Sequence, residues 1–212
     1  MKDKMSVWST VLLLGTVWGF FEGSLGGFLH LSPVPIAGKI MTSIGFVIMF
    51  YGLKNGLKAK HVFAVSVIAA TLKFSTSLFF LLPLFHIKII NPAQSIILQG
   101  LCFAAISHIF SDKLKSFKGI ALTASMMFTM AFALSATFSF YVTNYVMGPL
   151  EGSFFMLLFH LAMGSVFTFA AMSLVHIMYE KMIFIHVSRL TFATRMITSV
   201  VLVIATFLIN GF

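Results

Sequence analysis

The chain has 212 residues, of which 59% are hydrophobic and 9% charged, with a mean hydropathy of +1.05 and a formal net charge of +9. Soluble domains carry about 25% charged residues, so these charges are too few to cover a soluble globule. Cys102 is the one cysteine, which excludes an intrachain disulfide scaffold, and 26 Phe set in long apolar runs exclude disorder.

The apolar runs are continuous and long enough to span, rather than alternating as in a β-barrel. They predict an all-α polytopic membrane protein. At about 20 residues per span, seven segments follow in order. The first covers 6–29 and is ended by Ser32, Pro33 and Pro35. It is too long for a cleaved signal core and contains Glu22, so it reads as a retained span. The second covers 36–53 and runs into Lys54, Lys58 and Lys60. The third, 61–82, stops at Pro83. The fourth starts near Asn91-Pro92 and ends near Phe110, ahead of Lys113, Lys115 and Lys118. The fifth covers 119–146; the sixth starts after Gly148-Pro149 and ends near Tyr179. A mixed stretch with Arg189 precedes the seventh, 195–212. Residues 1–180 are thus expected to form a six-span core. Residues 181–212 are expected to form an amphipathic connector and a seventh, C-terminal transmembrane helix.

The basic residues sit in clusters between these runs, not on one face of a soluble module, which argues against nucleic acid as a partner. With the N-terminus inside, eleven Lys and Arg fall at inner ends and two, Lys39 and Lys88, at outer ends. Inner loops collect Lys and Arg, so a multi-pass cell-membrane protein with a cytoplasmic N-terminus and an external C-terminus is expected. No appended ATPase or other soluble domain is expected.

Of five acids, Asp3, Asp112 and Glu180 lie beside lysines at inner ends, whereas Glu22 and Glu151 have no basic sequence neighbour. A charge at mid-membrane costs about 2.5–3.5 kcal/mol or more, so Glu22 should face the bundle or a wet cavity. Glu151 follows Gly148-Pro149, a helix-start signal, where the helix dipole also favours an acid. The stretch Gly19-Phe20-Phe21-Glu22-Gly23-Ser24 echoes Gly148-Pro149-Leu150-Glu151-Gly152-Ser153, with a looser copy at Gln99-Gly100. His30, His108 and His160 follow the three copies. An outward-facing polar pocket built from Trp18, Glu22, His30, Gln99, Asn144, Glu151 and His160 is the expectation. A spacing of nine residues, however, puts two side chains on opposite faces of a regular helix. Lys73, in mid-span, is the expected ion-pair partner of Glu22 or Glu151. Gly15, Gly19, Gly23 and Gly27 recur every four residues and predict a close helix–helix or partner contact. H-E-x-x-H, G-x-S-x-G and Walker A motifs are missing, and no close pair of metal ligands occurs. No enzyme, metal or cofactor is expected.

The short loops, the small-residue face of the first helix and the stretches Trp18–Gly23, Asn91-Pro92-Ala93 and Ile97-Leu98-Gln99-Gly100 resemble the substrate-binding S component of energy-coupling-factor transporters, or uncharacterised membrane proteins grouped with them. The resemblance covers roughly residues 6–179 and leaves the seventh span outside it. It implies a substrate-capture subunit for a small polar solute, working in the lipid bilayer with a transmembrane coupling subunit and ATPases. Gly15, Gly19 and Gly23 would then contact the coupling subunit. The rival expectations are a stand-alone proton- or cation-coupled carrier or channel using Glu22 and Glu151, and a structural subunit of a larger membrane complex.

Overall fold

The computed structural model describes residues 2–29, 37–79, 86–143, 148–181 and 190–210. They form helices α1 (Lys2–Leu29), α2 (Ala37–Lys54), α3 (Ala59–Phe79), α4 (Ile87–Ile109), α5 (Phe117–Thr143), α6 (Gly148–Glu151), α7 (Phe154–Glu180) and α8 (Phe192–Asn210). A single 3-10 turn, Lys113–Lys115, lies between α4 and α5. Among the described residues there is no strand. Among the described residues, four stretches are long and apolar enough to cross a membrane: Ile89–Ile109, Phe117–Thr143, Phe154–Glu180 and Phe192–Ile209.

Local chemistry sets several helix ends. Gly56, with φ of +86°, ends α2. Gly56 N–H donates to the Leu53 carbonyl at 2.9 Å and Leu57 N–H to the Gly52 carbonyl at 3.0 Å, a glycine-capped C-terminus that only a left-handed residue allows. Gly152-Ser153 separates the short α6 from α7, and the Ser153 hydroxyl accepts from Met156 N–H. The Thr191 hydroxyl caps α8 in the same way, accepting from Thr194 N–H at 3.2 Å. One expectation shifts: α4 starts a turn before Asn91-Pro92, with Pro92 inside the helix. Pro92 lacks an N–H, so this early turn forgoes only one backbone bond near the helix start.

Packing order is α1 on α3, α3 on α4, α4 on α5, α5 on α7, α7 on α2 and α2 back on α1. Helix α8 lies against α1. The interior is apolar and ring-rich, with Trp18, Phe46, Phe50, Phe103, Met49 and Met127 fully buried. The Phe46 and Phe103 rings stack at 6.0 Å. Serine and threonine hydroxyls inside the helices mostly return to their own backbone, as Thr16 does to the Leu13 carbonyl and Thr123 to that of Gly119. This hides polar groups where water is scarce.

Contacts between helix ends define one basic end of the bundle. Trp8 of α1 meets His61 of α3 edge-on at 5.9 Å. Lys54 at the end of α2 is 2.8 Å from His176 Nδ1 on α7, and Tyr179 donates to the Lys54 carbonyl at 2.6 Å. Lys54 and Lys115 border one small cleft. Glu180, expected to be a simple loop acid, reaches His176 Nε2 at 3.3 Å. Asp112 does remain a surface acid: Lys115 donates to it at 2.6 Å and holds its carboxyl below the usual range.

Candidate functional site

At the end of the bundle opposite this basic end, a cavity of about 280 Å³ opens between α1, α2, α4, α5 and α7. Glu22 of α1, Gln99 of α4 and His160 of α7 all line it. Glu22 is buried, with 7% of its surface exposed. The Lys73 ammonium on α3 acts on its carboxyl electrostatically. Trp18, one turn earlier on α1, is fully buried, and its indole N–H has no hydrogen-bond partner. The Trp18 ring is held against α2 at Gly45, where a Cβ would overlap it.

Gln99 donates its amide to the Thr42 hydroxyl on α2 at 3.2 Å. Its other end, Oε1, is buried without a partner. Whichever way the amide is turned, the end away from Thr42 is left buried without a hydrogen-bond partner, which is costly. Asn91 accepts from the Thr143 hydroxyl of α5 at 3.4 Å, which steadies the α4 side of the wall. His160 packs against Phe132 at 4.8 Å and Phe128 at 5.9 Å. Gly164, one turn on, leaves room for the Phe128 ring, so α7 approaches α5 closely there.

The expected pocket is therefore assembled in part. Glu22, Gln99 and His160 converge on it, with Trp18 directly behind Glu22. Glu151 does not join them: it is exposed on α6 and is not among the lining residues. His108 is exposed as well. This is the outcome that a nine-residue spacing dictates, since Gln99 and His108 share one regular helix and point to opposite sides. His30 and Asn144 lie outside the described residues, as do the surroundings of Gly27.

Sequence reasoning missed Lys39. The sequence places it among the outer-end bases, yet it is buried, 6% exposed, and lines the same cavity as His160. The signal was present, because Lys39 falls inside the second apolar run, where the argument applied to Glu22 applies equally. The ring wall of Phe128 and Phe132 and the hydroxyls of Thr42, Ser95 and Ser135 carried no such signal. Residues of these types are abundant in every span.

The glycine face has a definite neighbour. A Cβ on Gly15 would lie 2.6 Å from Ile68 Cβ, and one on Gly19 2.6 Å from Leu72 Cδ1, both on α3. Gly23 is buried too. Two glycines four residues apart thus receive two α3 side chains four residues apart, and this close approach is internal.

Comparison with family models, with curated proteins and with solved structures gives no match.

Proposed function

We propose that the protein is a multi-pass cell-membrane subunit that captures a small polar solute in the cavity around Glu22, for uptake with partner energising subunits. In this reading α1 to α5 and α7 form a six-span core and α8 a seventh span. The observation that carries it is the convergence of Glu22, Gln99 and His160, from three separate helices, on one cavity with an unanswered amide group. Acids and amides buried in a membrane bundle are expensive and usually mark a substrate or ion path. The proposed orientation, basic end in the cytoplasm, opens the cavity toward the outside, the side from which an uptake protein receives its solute. Because Gly15 and Gly19 are occupied by α3, a coupling subunit would dock elsewhere, with the exposed apolar side of α7 available. The action of Lys73 on Glu22 also favours a second reading, a carrier in which protonation or cation binding at Glu22 drives the cycle.

The test is to purify the full chain in lipid nanodiscs and identify by mass spectrometry the small molecules and proteins that accompany it. Glu22→Gln keeps the shape but removes the charge. A hydrogen bond to a charged group contributes about 1.5–3 kcal/mol, so occupancy by the solute should fall about tenfold or more. Asp112→Asn, at the exposed pair, should leave occupancy unchanged. Equal occupancy in wild type and Glu22→Gln would reduce Glu22 to a structural role and remove the basis of the proposal.

A further inference from the structure

A second opening lies on the same bundle axis as the cavity. In the packing order α2 and α4 stand opposite each other across the ring formed by α1, α3, α4, α5, α7 and α2. Both line the cavity, α2 at Thr42 and α4 at Ser95 and Gln99. Both also line the cleft of about 220 Å³ at the basic end, α2 at Phe50, Leu53 and Lys54 and α4 at Ser107. On α2, Phe46 lies one turn from Thr42 and one turn from Phe50. On α4, Phe103 lies one turn from Gln99 and one turn from Ser107. These two rings are fully buried and meet across the ring of helices, stacked at 6.0 Å with 25° between their planes. Two helical turns rise about 11 Å, so a single layer centred on Phe46 and Phe103 separates the two openings.

We infer that the chain itself conducts the solute, along the axis from the Glu22 cavity to the Lys54 cleft, with the Phe46–Phe103 pair as the closed gate between them. The inference rests on the reading of the cavity as a solute site and adds the route by which the solute leaves it. A bundle that only captured a solute and handed it back would need no opening at the opposite end on the same faces of the same two helices. Apolar constrictions close a path by excluding water, and two stacked rings present a polar solute with that barrier. Rocking of α2 against α4 would part the rings, as one half of a bundle moves against the other in alternating access. Met49, Met127 and Met172, on α2, α5 and α7, are fully buried in the same core. Methionine side chains repack readily, so this layer can yield without a void.

The experiment uses the full chain in membrane vesicles and a small, membrane-impermeant thiol reagent applied to either face. Ser95→Cys, in the cavity wall, and Leu53→Cys, in the cleft wall, should each be labelled from one face only, and from opposite faces. Native Cys102 is buried, so matched chains without the added cysteine give the background. With Phe46→Ala and Phe103→Ala together, Leu53→Cys should be labelled from the cavity face at least about tenfold faster than with the gate intact. Phe103→Leu, which keeps the layer apolar, should give a smaller rise in the same direction. The two-face labelling with the gate intact keeps the test valid if the gate variants fold poorly. Labelling of Ser95→Cys and Leu53→Cys from the same face overturns the axis. So does a Leu53→Cys that stays closed to the cavity face in gate variants that fold. If a co-purifying solute is still lost in Glu22→Gln while the gate stays shut, the capture reading survives and only the route through the bundle falls.

Discussion

At the scale of single residues, the contacts at Gly15 and Gly19 show how little room the bundle leaves. The helix carrying them approaches α3 so closely that Leu72 occupies the space of the missing Gly19 side chain. Forcing extra carbons into such a contact typically costs about 1–3 kcal/mol. Gly19→Leu should therefore lower the thermal unfolding midpoint of the purified protein and separate α1 from α3 without preventing insertion. Gly38→Ala serves as the control for stability, since no heavy atom lies within 4 Å of the Cβ it would add. Equal midpoints for Gly19→Leu and wild type would show that α1 and α3 are not in close contact. The four-residue spacing was legible as a close approach, but spacing on one helix holds no information about which helix comes near. The same limit applies to Glu22 and Lys39. Their cost in a membrane is plain from the sequence, whereas their meeting at one cavity depends on the packing of α1 and α2 against α4, α5 and α7.

At the scale of elements, the polar contact of α8 with α1 comes from Arg195, which the sequence places among the inner-end bases at the start of the seventh segment. Arg195 is 3% exposed. The two N–H groups of its Nη1 are shared among the Ser6 carbonyl at 2.7 Å, the Ser6 and Ser9 hydroxyls at 3.0 and 3.2 Å, and the Thr10 hydroxyl at 2.7 Å. Its Nη2 donates to the Leu190 carbonyl at 2.9 Å. A planar guanidinium has a second nitrogen, so Arg195 joins a turn of α1 to the Leu190 carbonyl just before α8, which the single nitrogen of a lysine does not match. This fixes where α8 starts along α1, while the rest of α8 contributes a mainly apolar surface on which Val200, Val201, Ile204 and Leu208 are exposed. Arg195→Met keeps the apolar stem and removes the donors. It should destabilise the α1–α8 contact by at least about 1.5–3 kcal/mol, the range for one hydrogen bond to a charged group, and make the segment before α8 easier to cleave by protease. Thr10→Val should produce a smaller loss in the same direction, because only one acceptor disappears. Unchanged cleavage and stability in Arg195→Met would mean that α8 is held by its apolar contacts alone. Ser6, Ser9 and Thr10 gave no warning of this role, since hydroxyls at a helix start are equally suited to capping.

For the whole molecule, most of the helical content was legible, and each of the seven apolar segments falls on a long helix. Hydropathy reports burial in either lipid or protein, so it could not order the helices around the bundle. It also could not separate the four stretches apolar enough to cross alone from α1, α2 and α3, which carry Glu22, Lys39 and Lys73 within their length. The charge map becomes clearer once Lys39 is placed in the cavity wall. With the equally buried Arg195 also set aside, Lys88 is the one outer-end base left in the sequence count, against ten at the inner ends. Contacts between α1 and α3, α2 and α7, and α1 and α8 gather many of those inner bases at one end of the bundle. Because short-loop Lys and Arg set orientation, this end should face the cytoplasm. Reporters inserted at Lys58 and at Lys115 should then give a cytoplasmic signal, and one fused after Asn210 an external signal. An external signal at Lys58 or Lys115 would invert the molecule and turn the Glu22 cavity toward the cytoplasm, which is incompatible with capture from outside. A cytoplasmic signal after Asn210, with the other two as expected, would instead place α8 along the membrane surface. Arg195 would then anchor an interfacial helix rather than a seventh span, and the exposed apolar side of α8 would rest among the lipid headgroups.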